Sequence, residues 1–167
     1  MARRTLPFEF SRSGYRCNLD ADERHLVRRL IGEVRELLTT TEADDPKMSR
    51  LFPPAYLDDA ESEAESDYQQ YMREELVASR LDSIIRVDQF LADEHRSEVT
   101  ADDLDAFATA LNGVRLVLGT LLGINDDDDE SAGRTAGPHH DEMNLYNYLS
   151  WLLESAVSAR MKGWDRT

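Results

Sequence analysis

Between Asp105 and Asp126 the chain carries one charged residue, Arg115, while elsewhere charges come every few positions. A helix that is apolar nearly all round sits in the middle of a domain with its neighbours packed about it. Thr100 and Asp103 form a capping-box pattern, with aspartate in place of the usual Glu or Gln. The helix then runs from Ala101 to about Leu122, with Gly123 placed as its C-terminal cap. The predicted fold is mainly α, a helical bundle around this central apolar helix (about 101–122), with a small N-terminal β-hairpin.

The hairpin follows from residues 6–19. Phe8, Phe10, Tyr15, Cys17 and Leu19 recur at period two on either side of Ser11-Arg12-Ser13-Gly14, and Gly14 supplies the positive φ of the turn. A two-stranded flap is expected, packed on helices because an isolated hairpin is marginal. Asp20 and Glu23 then mark a helix start. Leu26, Val27, Leu30, Ile31, Val34, Leu37 and Leu38 keep the helical repeat to Thr39, with Arg24, Arg28, Arg29 and Arg35 assigned to the outer side. Pro46 suits the first turn of a short helix to Leu51, and Pro53-Pro54 imposes an extended connection.

From Asp59 the chain is acidic and helix-prone through Leu91, as one long helix or as two broken near Arg73. Its acidic start complements a helix N-terminus. Asp88 falls on the Val77–Leu81–Ile84–Leu91 face, which predicts partial burial. A last helix is expected from about Glu142 to Met161. There is no internal repeat and no domain linker, so 1–167 reads as a single domain with a flexible basic end at 1–5 and a mobile acidic loop at 124–138.

Composition sharpens this picture. The net charge is −15, and the excess is greater still past the first 18 residues, which hold Arg3, Arg4, Arg12 and Arg16 against Glu9. Such a body repels phosphate backbones, which disfavours nucleic-acid binding. One cysteine, Cys17, excludes an internal disulfide and any multi-cysteine metal site. No signal peptide is expected, because the basic start is not followed by an apolar run. The central stretch is just long enough to span a bilayer, but Arg115, Asn112 and the flanking acids argue against it. A cytoplasmic location is expected.

Motifs for chemistry are absent. The four histidines, His25, His95, His139 and His140, show no i, i+4 pairing and no HExxH. His139-His140-Asp141-Glu142 reads as solvated polar residues, and Asp126–Asp129 lacks EF-hand ligand spacing. There is no phosphate-cradling glycine loop and no nucleophile elbow. No catalytic residue, metal or cofactor is expected, and no argument for an enzyme survives. Arg115 is the residue under chemical tension: it shares a 4-3-4-3-4 seam with Leu104, Ala108, Leu111, Leu118 and Leu122. A buried guanidinium needs a partner. Asp88 and Glu154 are the candidates, and Asn112 lies one turn away. A structural ion pair is the expected outcome; a pocket in which Arg115 receives an anionic group is the functional alternative.

Asn112-Gly-Val-Arg-Leu-Val-Leu-Gly-Thr-Leu-Leu-Gly123 and Tyr148-Leu-Ser-Trp-Leu-Leu-Glu-Ser-Ala-Val157 resemble the two signature segments of an uncharacterised actinobacterial domain-of-unknown-function family. Gly14-Tyr15-Arg16, Leu51-Phe52-Pro53 and the acidic stretch after the central helix are similar too, so the resemblance covers nearly the whole chain. Its genes commonly lie beside that of ClpS, the adaptor delivering N-degron substrates to the Clp protease. Many members carry an arginine near the position of Leu121 and a glutamine near Leu153, two polar groups this chain lacks. Some members are labelled transcriptional regulators, which the acidic body does not support.

The expected function is a protein-interaction or regulatory role. The resemblance implies a link to ClpS-dependent proteolysis, with ClpS or Clp subunits as partners. A regulator contacting DNA through the basic arm and an enzyme without recognisable motifs are the alternatives. Self-association is open to Trp151 or Trp164 if either is exposed.

Overall fold

Local capping fixes where two of the helices begin. In this computed structural model, which describes residues 5–40, 63–122 and 140–165, the Glu23 amide donates to Asp20 Oδ1 at 2.8 Å, and the Asp103 amide donates to Thr100 Oγ1 at 3.1 Å. Both predicted capping boxes are therefore formed. The elements run β1 (Phe8–Ser11), β2 (Gly14–Cys17), α1 (Ala21–Thr40), α2 (Glu63–Ala92), β3 (Glu98–Val99), α3 (Ala101–Leu122) and α4 (His140–Trp164). The predicted short helix 46–51, the proline-rich connection, the Gly123 cap and the acidic loop lie outside the described residues, as do residues 1–4.

The central helix is central. α3 packs against α4, α2 and α1, and Phe107 and Leu111 are wholly buried with Val27, Val87, Phe90 and Leu149. Full burial of each such side chain contributes about 1.5–3 kcal/mol. The hairpin has the predicted register, Phe8 opposite Cys17 and Phe10 opposite Tyr15. Gly14 takes φ +111°, a conformation in which a side chain is strained. Phe8 enters the core and meets the Phe107 ring edge-on, centroids 4.6 Å apart.

Two expectations are corrected, and one alternative is decided. The sheet has a third strand, because Tyr15 pairs with Val99 and Arg16 with Glu98; two residues are too short a run to show alternation. Of the two readings of α2, the single helix unbroken at Arg73 is the one that forms. Arg24, assigned to the outer face of α1, is only 3% exposed. The last helix also extends further than predicted at both ends.

Candidate functional site

Arg115 has no carboxylate partner among the described residues. Its Nε donates to Ser150 Oγ at 3.0 Å, and its guanidinium lies over the Tyr146 ring, 5.3 Å from the centroid. Asp88 accepts from Arg28 Nε at 2.8 Å instead, and Glu154 stands exposed on α4. The expected buried ion pair is therefore replaced by a half-buried polar contact between α3 and α4. The reason is rotational. The buried arc of α3 is Asp103, Leu104, Ala106, Phe107, Ala110, Leu111 and Val114, which leaves Arg115 and Asn112 at its margin. Hydroxyl and ring contacts suffice for a cation that keeps water on one side.

The buried charges are elsewhere, at the joint between α2 and α3. Arg24 uses all five guanidinium N–H groups. Nε donates to Leu19 O (2.9 Å), Nη1 to Phe90 O (3.3 Å) and Asp93 O (2.9 Å), and Nη2 to Arg96 O (2.6 Å) and Cys17 Sγ (3.7 Å). α2 has no basic residue in its own last turn. Arg24 therefore supplies from α1 the positive charge that the C-terminal carbonyls of α2 attract.

Asp103 is buried beside this cluster. Its Oδ1 accepts from Arg86 Nε (2.8 Å), and its Oδ2 from the Thr100 amide (2.9 Å) and Arg96 Nη2 (2.9 Å). Burial by itself pushes this carboxyl up. The Thr100 amide, Arg86, the Thr100 hydroxyl and Arg96 outweigh that effect and hold it below the usual aspartate range.

Neither group is set up for catalysis. Asp103 is held ionised by its donors, so it has no proton to give near neutrality. Burial pushes the Cys17 thiol up, against weaker lowering by the Leu19 backbone and Arg24, which disfavours the nucleophilic thiolate. Among the described residues no three His, Cys, Asp or Glu side chains converge on a metal position, and no helix is long and apolar enough to cross a membrane.

What the structure does present is surface. A half-open cavity of about 550 Å³ runs between β1 and α4, with Leu6, Phe8, Trp151, Glu154, Ser158 and Lys162 among its lining. Ser155 closes its floor: its Oγ accepts from the Phe8 amide at 3.0 Å and donates to the Phe8 carbonyl at 3.3 Å, so it takes the place of a neighbouring strand at the sheet edge. Trp151 is half-buried there, its ring 6.1 Å from that of Tyr148. A second surface lies along residues 67–82 of α2. Val77 and Leu81 pack against the core there, while Tyr68, Tyr71, Met72 and Leu76 point away from it. Asp67, Glu74, Glu75 and Asp82 are exposed beside them.

Sequence reasoning singled out Arg115, Asn112, Asp88, Trp151 and Glu154. The structure brings Trp151 and Glu154 together in the β1–α4 cavity and puts Asp88 on Arg28. The sequence reading missed Arg24, although Arg24, Val27, Ile31, Val34 and Leu38 share one 3-4-3-4 seam. That spacing was the available signal.

The model of one protein family, Domain of unknown function (DUF2017), matches residues 4–160. No curated protein and no solved structure matches the chain.

Proposed function

We propose that this chain, which belongs to the DUF2017 family, is a protein-interaction module whose docking face is the outer stripe of α2. One observation carries the reading. Tyr68, Tyr71, Met72 and Leu76, between 41% and 62% exposed, line one side of the helix, while Val77 and Leu81 on its other side pack against the core. Aligned apolar side chains rimmed by charge mark an interaction surface. Tyrosine brings contact area with a polar tip, and methionine adapts its shape to the partner.

The rim selects the partner's chemistry. Asp67, Glu74, Glu75 and Asp82 outnumber the cations Arg73 and Arg80 along this part of the helix, and the whole chain carries −15. A basic amphipathic segment lays its apolar side on the stripe and its Lys or Arg residues over the acids. Association is then steered at low salt and slowed as salt rises. The gene neighbourhood implied by the family resemblance makes ClpS and the Clp subunits the first partners to test, with regulation of ClpS-dependent proteolysis as the process.

The test is binding of purified ClpS and Clp subunits to the immobilised full-length chain across a salt series. Binding that weakens with salt, and at least tenfold in Met72→Ser/Leu76→Ser, supports the reading. No binding at low salt sinks the Clp link. Binding unchanged by the double substitution sinks the α2 face. The DNA-binding alternative has exposed Arg12 and Arg16 on the hairpin in its favour; a gel-shift without salt-sensitive retention removes it.

A further inference from the structure

The outer face of α4 differs from the rest of the surface in charge. Val157, Met161 and Trp164 follow one helical stripe, with Met161 57% and Trp164 62% exposed. Around them Glu154 and Asp165 are matched by Arg160 and Lys162. In a chain of net charge −15, two copies meeting through the acidic α2 surface bring like charges together. Here they do not.

We propose that this face binds a second copy of the chain, as a two-fold dimer of antiparallel α4 helices. One register satisfies every group on the stripe. With the axis level with Ala159, Val157 of each copy meets Met161 of the other. Glu154 and Lys162 share one flank, and antiparallel helices pair like flanks, so Glu154 lies within a turn of Lys162 across the axis. Trp164 lies across the stripe from Glu154, on the other flank, and so comes opposite Leu153 of the second copy.

Arg160, held by Asp105 at 3.0 Å, stacks on the Trp164 ring with 5.1 Å to the centroid and so orients it. The same patch serves both copies, as an isologous contact requires. One helix pair buries less than the roughly 800 Å² per partner of a standard interface, so dissociation falls on the order of micromolar. This surface is separate from the α2 stripe, and each can fail without the other.

The test is sedimentation of the full-length chain from about 1 to 200 µM, with circular dichroism melts as the folding control. The wild type is expected to pass from monomer to dimer, with the tryptophan emission shifting to the blue. Met161→Glu and Trp164→Ala should each raise the dissociation constant at least tenfold. Glu154→Lys should weaken the dimer, and Glu154→Lys/Lys162→Glu should restore it. A monomer throughout the range overturns the proposal. So does a dimer indifferent to Met161→Glu and Trp164→Ala, or a charge swap that fails to rescue. Loss of the dimer in Met72→Ser/Leu76→Ser while Met161→Glu leaves it intact moves self-association to α2 and equally overturns it.

Discussion

Replacing Arg24 by methionine keeps most of the side-chain volume and removes every donor. Four main-chain carbonyls, those of Leu19, Phe90, Asp93 and Arg96, then lose a charged partner. The bonds to Leu19 and Phe90 are buried, and no water reaches those oxygens without opening the joint; each orphaned acceptor costs about 1–3 kcal/mol. The Asp93 and Arg96 bonds are only part-buried, so water replaces much of what they lose. Against this, methionine removes the desolvation of a buried cation.

The net loss is about 3–5 kcal/mol, a large share of the roughly 5–15 kcal/mol that holds a domain together. Urea unfolding followed by circular dichroism measures it. With an m-value of about 2 kcal/mol/M, the midpoint falls by roughly 1.5–2.5 M. Arg24→Lys should fall between the two, because an ammonium has three donors on one atom and cannot span the carbonyls. A loss below about 1 kcal/mol in Arg24→Met would refute the reasoning, as would a lysine variant as stable as the wild type.

Asp103→Asn should be less stable at neutral pH and less sensitive to acid. The folded carboxyl is depressed, so its contribution is present above the ordinary aspartate value of about 3.9 and is lost as pH falls through the folded value. Unfolding midpoints below about pH 4 should therefore converge for variant and wild type; parallel curves would contradict this. A β-carbon at Gly163 would overlap the Tyr15 hydroxyl, so Gly163→Ala should cost about 1–3 kcal/mol in thermal unfolding and much less in a Tyr15→Leu background. Arg115→Met should cost about 1 kcal/mol or less, and a double-mutant cycle with Asp88→Leu should show no coupling above about 0.5 kcal/mol.

Periodicity made the main elements legible, because apolar spacing is a local property that burial acts on directly. Phe8, Cys17 and Leu19 kept their predicted face, and Asp20, Glu23, Thr100 and Asp103 formed their caps because a capping bond closes within four residues. Those features needed no knowledge of the rest of the chain. The candidate site was less legible. Trp151 and Glu154 do line one cavity, but Glu154 was singled out as a partner for Arg115 and Trp151 as a point of self-association, and neither reason is why they meet.

The two arginines show where the division falls. Arg115 and Arg24 both sit on apolar seams, and both seams are visible in the sequence. Which one is buried depends on which arc of each helix its neighbours cover, and that is set by contacts across the chain. Arg24 is buried because the end of α2, some seventy residues on, points its carbonyls at it. Arg115 stays at the margin of the arc that its neighbours cover, where α4 meets it with a serine and a tyrosine rather than a carboxylate. The sequence alone determined a helical bundle around an apolar central helix, an acidic body and the local caps. Only the tertiary structure decided which charges are buried and which apolar stripes are left outside, because burial belongs to the assembled surface and no local pattern encodes it.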